Sequence, residues 1–336
     1  MKKVLFCFDA SKFIGGGHAY RCLALADALH DIGWEVFVAS SLNVRKQFTQ
    51  ISKFNFIEID FGSNYSKDHL LQSIDFLDLL IIDHYQLDIS FELKFKNIAK
   101  NILVIDDLAN RKHFCNYLID QTIGRNFTDY NHLVPVNCKL LLGSSFCLLR
   151  KQFKYERKMV DFKQRCKKLK NVLISFGASD PHFLTEKILD HILHLNLGLK
   201  LQVITGNYIN SNNIFKLETK YQNIQILKNV SNMAKIMAKS DLSIGAAGVS
   251  SWERCAVGLP SLVIVTADNQ DLIAQNLHNK GAIKSFGSYK KLSLKDLGNE
   301  LIYLKKNPKK LNVMSQYAYK LCDGDGVNRT LKELII

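Results

Sequence analysis

Val4-Leu5-Phe6-Cys7-Phe8-Asp9-Ala10-Ser11-Lys12-Phe13-Ile14-Gly15-Gly16-Gly17-His18-Ala19 is an aliphatic and aromatic run that breaks into a glycine turn and then opens a helix. Apolar residues follow at Cys22, Leu23, Leu25, Ala26 and Leu29, on helical spacing, until Gly33 interrupts them. Strand, glycine turn and helix in this order predict the first βα unit of a parallel sheet. Three glycines allow the backbone to approach a ligand closely, and the free amides of a helix start favour an anion. The spacing is not Gly-x-Gly-x-x-Gly, so a dinucleotide site is not expected.

The alternation continues outward from this unit. Further strands are expected at Glu35–Ala39, Phe56–Ile59, Leu79–Ile82, Ile102–Ile105, Tyr117–Ile119 and Leu140–Leu142. A second series follows at Asn171–Phe176, Leu201–Ile204, Ile224–Leu227, Leu242–Ile244 and Ser261–Val265. Between the two series, Arg150–Lys170 holds ten Lys or Arg against one Glu and one Asp and has no strand pattern, so it reads as a partly helical connection. The fold class is therefore α/β with two Rossmann-like domains, residues 1–155 and 156–310. Residues 311–336 form a helical segment that, after the break Asp323-Gly324-Asp325-Gly326, could pack on either domain.

Composition excludes several classes. With 336 residues and 47% apolar content the chain can bury two cores. No stretch approaches the roughly 18 apolar residues of a membrane helix, and the basic start lacks a signal-peptide cleavage pattern, so a cytoplasmic protein with no membrane insertion is expected. The eight cysteines stand singly, without Cys-x-x-Cys, which argues against zinc or a disulfide framework. The net charge of +14 comes from dispersed lysines with no recognition motif, so it reads as a solvated surface compatible with an anionic small substrate rather than with nucleic acid.

Polar residues then gather at strand ends, where ligands of open α/β sheets bind. His18, near a helix N-terminus, feels the positive end of the helix dipole, which favours a neutral imidazole able to accept a proton; it equally suits a simple turn cap. Arg21 lies one turn on, and Asp83-His84-Tyr85 and Asp106-Asp107 end two successive strands, although the last two acids also suit helix caps. In the second half, Gly177 and Ser179 follow a strand. The segment Gly245-Ala246-Ala247-Gly248-Val249-Ser250-Ser251-Trp252-Glu253 leads toward Asp268-Asn269-Gln270. Its small residues could hold a diphosphate and Glu253 a ribose; Ser250 with Glu253 equally forms a capping box. Asp323-Gly324-Asp325 reads as a turn, so no metal site is expected.

Taken together, Asp9 to His18 with Arg21, Asp83-His84-Tyr85, Asp106-Asp107, the run Gly143 to Phe153 and the block Gly245 to Gln270 resemble the UDP-sugar hydrolases of pseudaminic acid biosynthesis. That family is itself similar to the glycosyltransferase that adds N-acetylglucosamine to the peptidoglycan lipid precursor. The resemblance implies a B-type glycosyltransferase (GT-B) fold with an interdomain cleft, no cofactor and no metal. It also implies a place in CMP-pseudaminic acid biosynthesis, which serves flagellin glycosylation and surface polysaccharides, alongside other enzymes of that sialic-acid-like pathway as partners. The implied reaction is inverting C–O hydrolysis of UDP-2,4-diacetamido-2,4,6-trideoxy-β-L-altrose with His18 as general base. Sugar contacts are then expected from Asp9, Gly16, Gly17, Arg21, Asp83, Tyr85 and Asn269, and UDP contacts from Gly177, Ser179, Gly248, Val249, Ser250, Ser251, Glu253 and Gln270. A glycosyltransferase of the same fold, a sugar-nucleotide epimerase and a non-catalytic UDP-sugar-binding protein are the competing readings.

Overall fold

A computed structural model describes residues 1–10, 15–61, 70, 72, 74–162, 165, 167–177, 180–206, 212–228 and 230–334. The chain forms two compact units, Met1–Arg150 together with Asp325–Ile336, and Lys151–Gly324. The expected sequence boundaries fell at 155/156 and 310/311. The helix Lys151–Lys158 and the helix Pro308–Leu321 both belong to the second unit, and only the last helix, Gly326–Leu334, joins the first.

The first unit is built on seven strands, β1 Lys3–Phe8, β2 Glu35–Ser40, β3 Asn55–Glu58, β4 Leu77–Asp83, β5 Ala99–Ile105, β6 Tyr117–Asp120 and β7 Lys139–Leu142. All pair in parallel, in the order β3-β2-β1-β4-β5-β6-β7. The apolar run of β4 follows from burial on both faces: Leu79 and Ile81 enter one core with Val4, Phe6 and Leu23, while Leu80 and Ile82 enter the other with Leu5, Cys7 and Val104. The order of connection reverses between β1 and β4, and such a reversal leaves a crevice at the carboxyl ends of the two strands. Register then decides what stands there, because Phe8 pairs with Asp83 and so brings the Asp83 carboxylate beside the start of the glycine loop.

The helix Gly17–Asp31 packs Leu23, Leu25 and Leu29 fully into the first core. Each such side chain contributes about 1.5–3 kcal/mol of burial free energy. Gly33 ends it in the left-handed region, at φ +87, with its N–H donated to the His30 carbonyl at 2.9 Å.

The second unit holds β8 Asn171–Ser175, β9 Lys200–Thr205, β10 Ile224–Lys228, β11 Leu242–Ala246, β12 Ser261–Val265 and β13 Ile283–Ser288, in the parallel order β10-β9-β8-β11-β12-β13. Its reversal lies between β8 and β11. Every strand read from the sequence is present, with ends differing by at most three residues. β13 went unread because Ile283-Lys284-Ser285-Phe286-Gly287-Ser288 is an edge strand, half-buried beyond its first residue, and its pairing with β12 slips between Val263 and Val265.

The last helix returns to the first unit, where Val327, Leu331 and Leu334 complete the core against the Gly17–Asp31 helix. Arg329 Nη1 donates to the Ser145 carbonyl at 2.8 Å, and Lys139 pairs with Glu333. The first helical residue must be glycine, since a Cβ at Gly326 would stand 2.3 Å from the Cys147 carbonyl oxygen. Gly326→Ala is therefore expected to destabilise the first unit by about 1–3 kcal/mol, as overpacking against backbone does. Urea denaturation followed by fluorescence measures it, and unchanged stability would contradict this packing.

Candidate functional site

The crevice of the first unit is lined by a buried ionic cluster. Asp83, at the end of β4, has no exposed surface, and its carboxylate accepts from four donors. His18 Nδ1 lies 2.5 Å from Oδ1; Arg21 gives a two-pronged contact, Nε to Oδ2 and Nη2 to Oδ1, both at 2.6 Å; and the Cys22 thiol donates to Oδ2 at 3.4 Å. His18 and Arg21 meet Asp83 together because positions 18, 21 and 22 lie on one face of the same helix. The third prong of Arg21, Nη1, reaches Asp107 Oδ2 at 3.1 Å, and the Tyr85 hydroxyl donates to that same oxygen at 3.4 Å. The Tyr85 ring meets His18 edge to face, with centroids 4.7 Å apart.

Burial pushes the Asp83 carboxyl up, but the Arg21 guanidinium, and after it His18, outweigh burial and hold it well below the usual carboxylate range. Burial likewise opposes the charge on Arg21, and Asp83 with Asp107 overcomes it, raising Arg21 above its ordinary value. Tyr85 is pushed up by burial and then by the neighbouring Asp107 carboxylate, so it stays a neutral phenol.

A carboxylate has no proton to give, so His18 Nδ1 carries the hydrogen shared with Asp83, and the lone pair of the neutral ring sits on Nε2. No hydrogen bond of the described residues engages Nε2. The helix does begin at Gly17, placing His18 in its first turn, but Asp83 sets the ring's tautomer and orientation. Dipole and carboxylate act in opposite senses on a positive charge at His18. The carboxylate is in contact, whereas the dipole amounts to about half a charge spread over a helix end.

The other expected residues divide by position. Asp9 Oδ1 accepts from the Ala10 N–H and the Ser41 hydroxyl, both at 2.8 Å, which ties the β1 end to the β2 end. Gly15 adopts φ +79, open to glycine, and Gly16 and Gly17 lead into the helix with the Gly16 carbonyl accepting from Tyr20 N–H. Arg21 and Asp83 are buried and bonded to each other. His84 turns away onto the Phe61 ring, its Nδ1 accepting from the Gln86 N–H. Asp106 caps no helix: it accepts from the Ala109 N–H and the Tyr130 hydroxyl and pairs with Arg111. Asp107, its chain neighbour, joins the cluster. Both lie just beyond the end of β5, and no sequence signal separates them.

In the second unit, β11 runs into Ala247-Gly248-Val249 and the short helix Ser250–Ala256. The capping box expected from Ser250 and Glu253 is not formed. Ser250 is already helical, Val249 holds the cap position without a side-chain bond, and the Ser250 hydroxyl accepts from Arg254 instead. Ser251 is buried and Glu253 nearly so. Gln270 latches the loop, its Oε1 accepting from the Ala247 N–H at 3.3 Å and the Thr266 N–H and hydroxyl at 3.1 Å. Asn269 stands beside it on the turn Asp268–Gln270, and Gly177 ends β8 with φ +86. Ser179 lies outside the described residues. Among the described residues, no group of three or more His, Cys, Asp or Glu is placed to hold a metal, and no helix is long and apolar enough to cross a membrane.

Two parallel, doubly wound sheets of this connectivity define the GT-B fold. Acinetobacter baumannii MurG superposes on it with a TM-score of 0.71 over 100% of this chain and 99% of that one, at 16% identity. Residues 171–327 match the family model for the glycosyltransferase family 28 C-terminal domain. The resemblance drawn from the motif residues extends over most of the chain. The Campylobacter jejuni UDP-2,4-diacetamido-2,4,6-trideoxy-beta-L-altropyranose hydrolase is 27% identical over 83% of this chain and 97% of its own length. The Helicobacter pylori pseudaminic acid cytidylyltransferase and UDP-2,4-diacetamido-2,4,6-trideoxy-beta-L-altropyranose hydrolase is 26% identical over 98% of this chain, which spans about half (54%) of that relative.

Asp83→Asn leaves Arg21 buried with one carboxylate partner, and the expected loss of stability at neutral pH is about 3–5 kcal/mol. Because the folded value of Asp83 is depressed, its contribution is complete above the unfolded value of about 4 and is lost as pH falls through the folded value. The gap between wild type and Asp83→Asn in unfolding free energy should thus narrow as the pH falls from about 5 toward 2. Urea melts across this range measure it; a gap that widens on acidification would contradict the assignment.

Proposed function

We propose that the protein is a UDP-sugar hydrolase acting on UDP-2,4-diacetamido-2,4,6-trideoxy-β-L-altrose and releasing UDP and the free 2,4-diacetamido sugar. The observation that carries this reading is the buried Asp83–His18 pair at the β1/β4 reversal, which presents an imidazole Nε2 with its lone pair available. The names of the Campylobacter and Helicobacter relatives support the choice of substrate.

In this reading, His18 Nε2 takes a proton from water as the water oxygen attacks the anomeric carbon. The bond between that carbon and the diphosphate oxygen breaks, its electron pair leaves with UDP, and the configuration inverts. The imidazolium that forms is stabilised through Nδ1–H by the Asp83 carboxylate, which stays ionised, as in other Asp–His pairs. Arg21 keeps Asp83 anionic and, through Asp107, fixes Tyr85, whose ring edge braces His18. Tyr85, Asp9, Gly16, Gly17 and Asn269 are assigned to the sugar. Glu253 accepts from the ribose hydroxyls, while Gly248, Val249, Ser250 and Ser251 hold the diphosphate, with Gly177 and Gln270 framing the nucleotide.

The test is incubation with that UDP-sugar, without acceptor and with no metal added, following UDP and free sugar. Wild type should release both in equal amounts. His18→Ala should lower kcat by about 10²–10⁴ with UDP affinity unchanged, and Glu253→Ala should weaken UDP binding first. Substrate binding without release, or turnover only when a sugar or lipid acceptor is supplied, would overturn the hydrolase reading.

A further inference from the structure

Arg254 is one of the largest fully buried side chains of the protein, at 2% exposure, and no carboxylate lies within ion-pair distance of it among the described residues. Arg21, by contrast, is as deeply buried and holds two carboxylates. Arg254 Nη2 donates to the Ala246 carbonyl at 2.7 Å and to the Ser251 hydroxyl at 2.9 Å, Nη1 donates to the Ser250 hydroxyl at 3.3 Å, and the buried Nε has no partner. Burial pulls its value down to about 10, and Cys255 and Glu253 restore only part of the loss. It nevertheless remains charged at neutral pH.

An isolated buried cation is costly, and proteins retain one where its charge is answered. Three neutral acceptors satisfy part of its hydrogen-bonding capacity but none of its charge. The geometry has a second consequence. Ser250 and Ser251 accept from a cation, so each hydroxyl hydrogen is free to point elsewhere, and a hydroxyl whose oxygen accepts from a charged donor is itself a stronger donor. Both hydroxyls stand in the first turn of the helix that follows the β11 loop, which Gln270 latches at Ala247. Gly245 in β11 is required first by the neighbouring strand, since a Cβ there would stand 2.2 Å from the Ser175 carbonyl oxygen, and it would also come within 3.3 Å of Arg254 Nη1.

We propose that Arg254 is a positioning residue for the nucleotide diphosphate: a buried charge, only partly compensated in the free protein and without an ion-pair contact, whose remainder the anion answers through the hydroxyls of Ser250 and Ser251. This rests on the UDP-sugar reading above. The free protein then carries a cost that ligand binding relieves, so Arg254 trades stability of the empty form for affinity toward phosphate oxygens. The recognised chemistry is the diphosphate, not the uridine.

Calorimetric titration of the full chain with UDP and with uridine, for wild type, Arg254→Met and Arg254→Lys, tests this together with melting of the unliganded proteins. Arg254→Met should raise the UDP Kd by about tenfold or more, the scale of one lost buried charge contact, leave the uridine Kd unchanged, and not lower the melting temperature of the free protein. Arg254→Lys, which keeps the charge, should hold UDP affinity within about threefold of wild type, the scale of context dependence for one such contact, and decides the matter if the methionine variant does not fold. Equal UDP affinity of wild type and Arg254→Met, or parallel loss of UDP and uridine binding in either variant, overturns the proposal and leaves Arg254 a structural anchor. Absence of UDP binding by the wild type overturns the hydrolase reading and this proposal with it.

Discussion

A single carboxylate, Asp83, with no exposed surface and four donors on it, is the constraint on which the first unit's site depends. Buried charge is tolerable only where it is paired and hydrogen-bonded, and Asp83 meets that demand by drawing two residues of one helix turn onto one strand end. Strand register sets Asp83 opposite Phe8, helix periodicity sets Arg21 three residues beyond His18, and the glycine loop lets the chain pass from β1 into that helix. Fold and site are therefore coupled. The same contacts that lock the helix to the sheet hold the His18 ring in one tautomer.

Much of this was legible in the sequence. The runs of Val4–Phe8 and Leu79–Ile82 are apolar throughout because both faces of a parallel sheet are covered, and that pattern needs no tertiary knowledge to read. The glycine loop, His18, Arg21 and Asp83 stood out because polar residues at the ends of such strands have few structural reasons to be there. What periodicity does not encode is which side chains meet across 65 residues of chain. The group that orients the His18 ring is accordingly Asp83 rather than the helix end alone, and Asp107 parts from Asp106 in the turn that follows β5, where no periodicity applies. Ser250 and Glu253 have the spacing of a capping box, yet the helix begins one residue too early for Ser250 to cap it. β13 escaped because an edge strand covered on one side carries a diluted hydrophobic signal.

The second unit treats charge in the opposite way. Where Asp83 is answered by Arg21 inside the protein, Arg254 is bonded to a carbonyl and two hydroxyls, with no carboxylate in ion-pair contact among the described residues. A self-contained ion pair fixes the groups around it without help from outside, whereas a charge without an ion-pair contact favours an anion brought from outside. Gln270 matters here as a brace: its carbonyl oxygen is spent on the backbone of Ala247 and on Thr266, so it holds the loop in shape.

The central claim is that Asp83 fixes His18 with the hydrogen on Nδ1 and the lone pair on Nε2. Nitrogen-15 NMR of the imidazole rings, with the His18 signal assigned by its loss in His18→Ala, reads this directly. At a pH where the ring is neutral, the account predicts a protonated Nδ1 and an unprotonated Nε2, a preference lost in Asp83→Asn. A His18 ring with its hydrogen on Nε2 in the wild-type protein would contradict it.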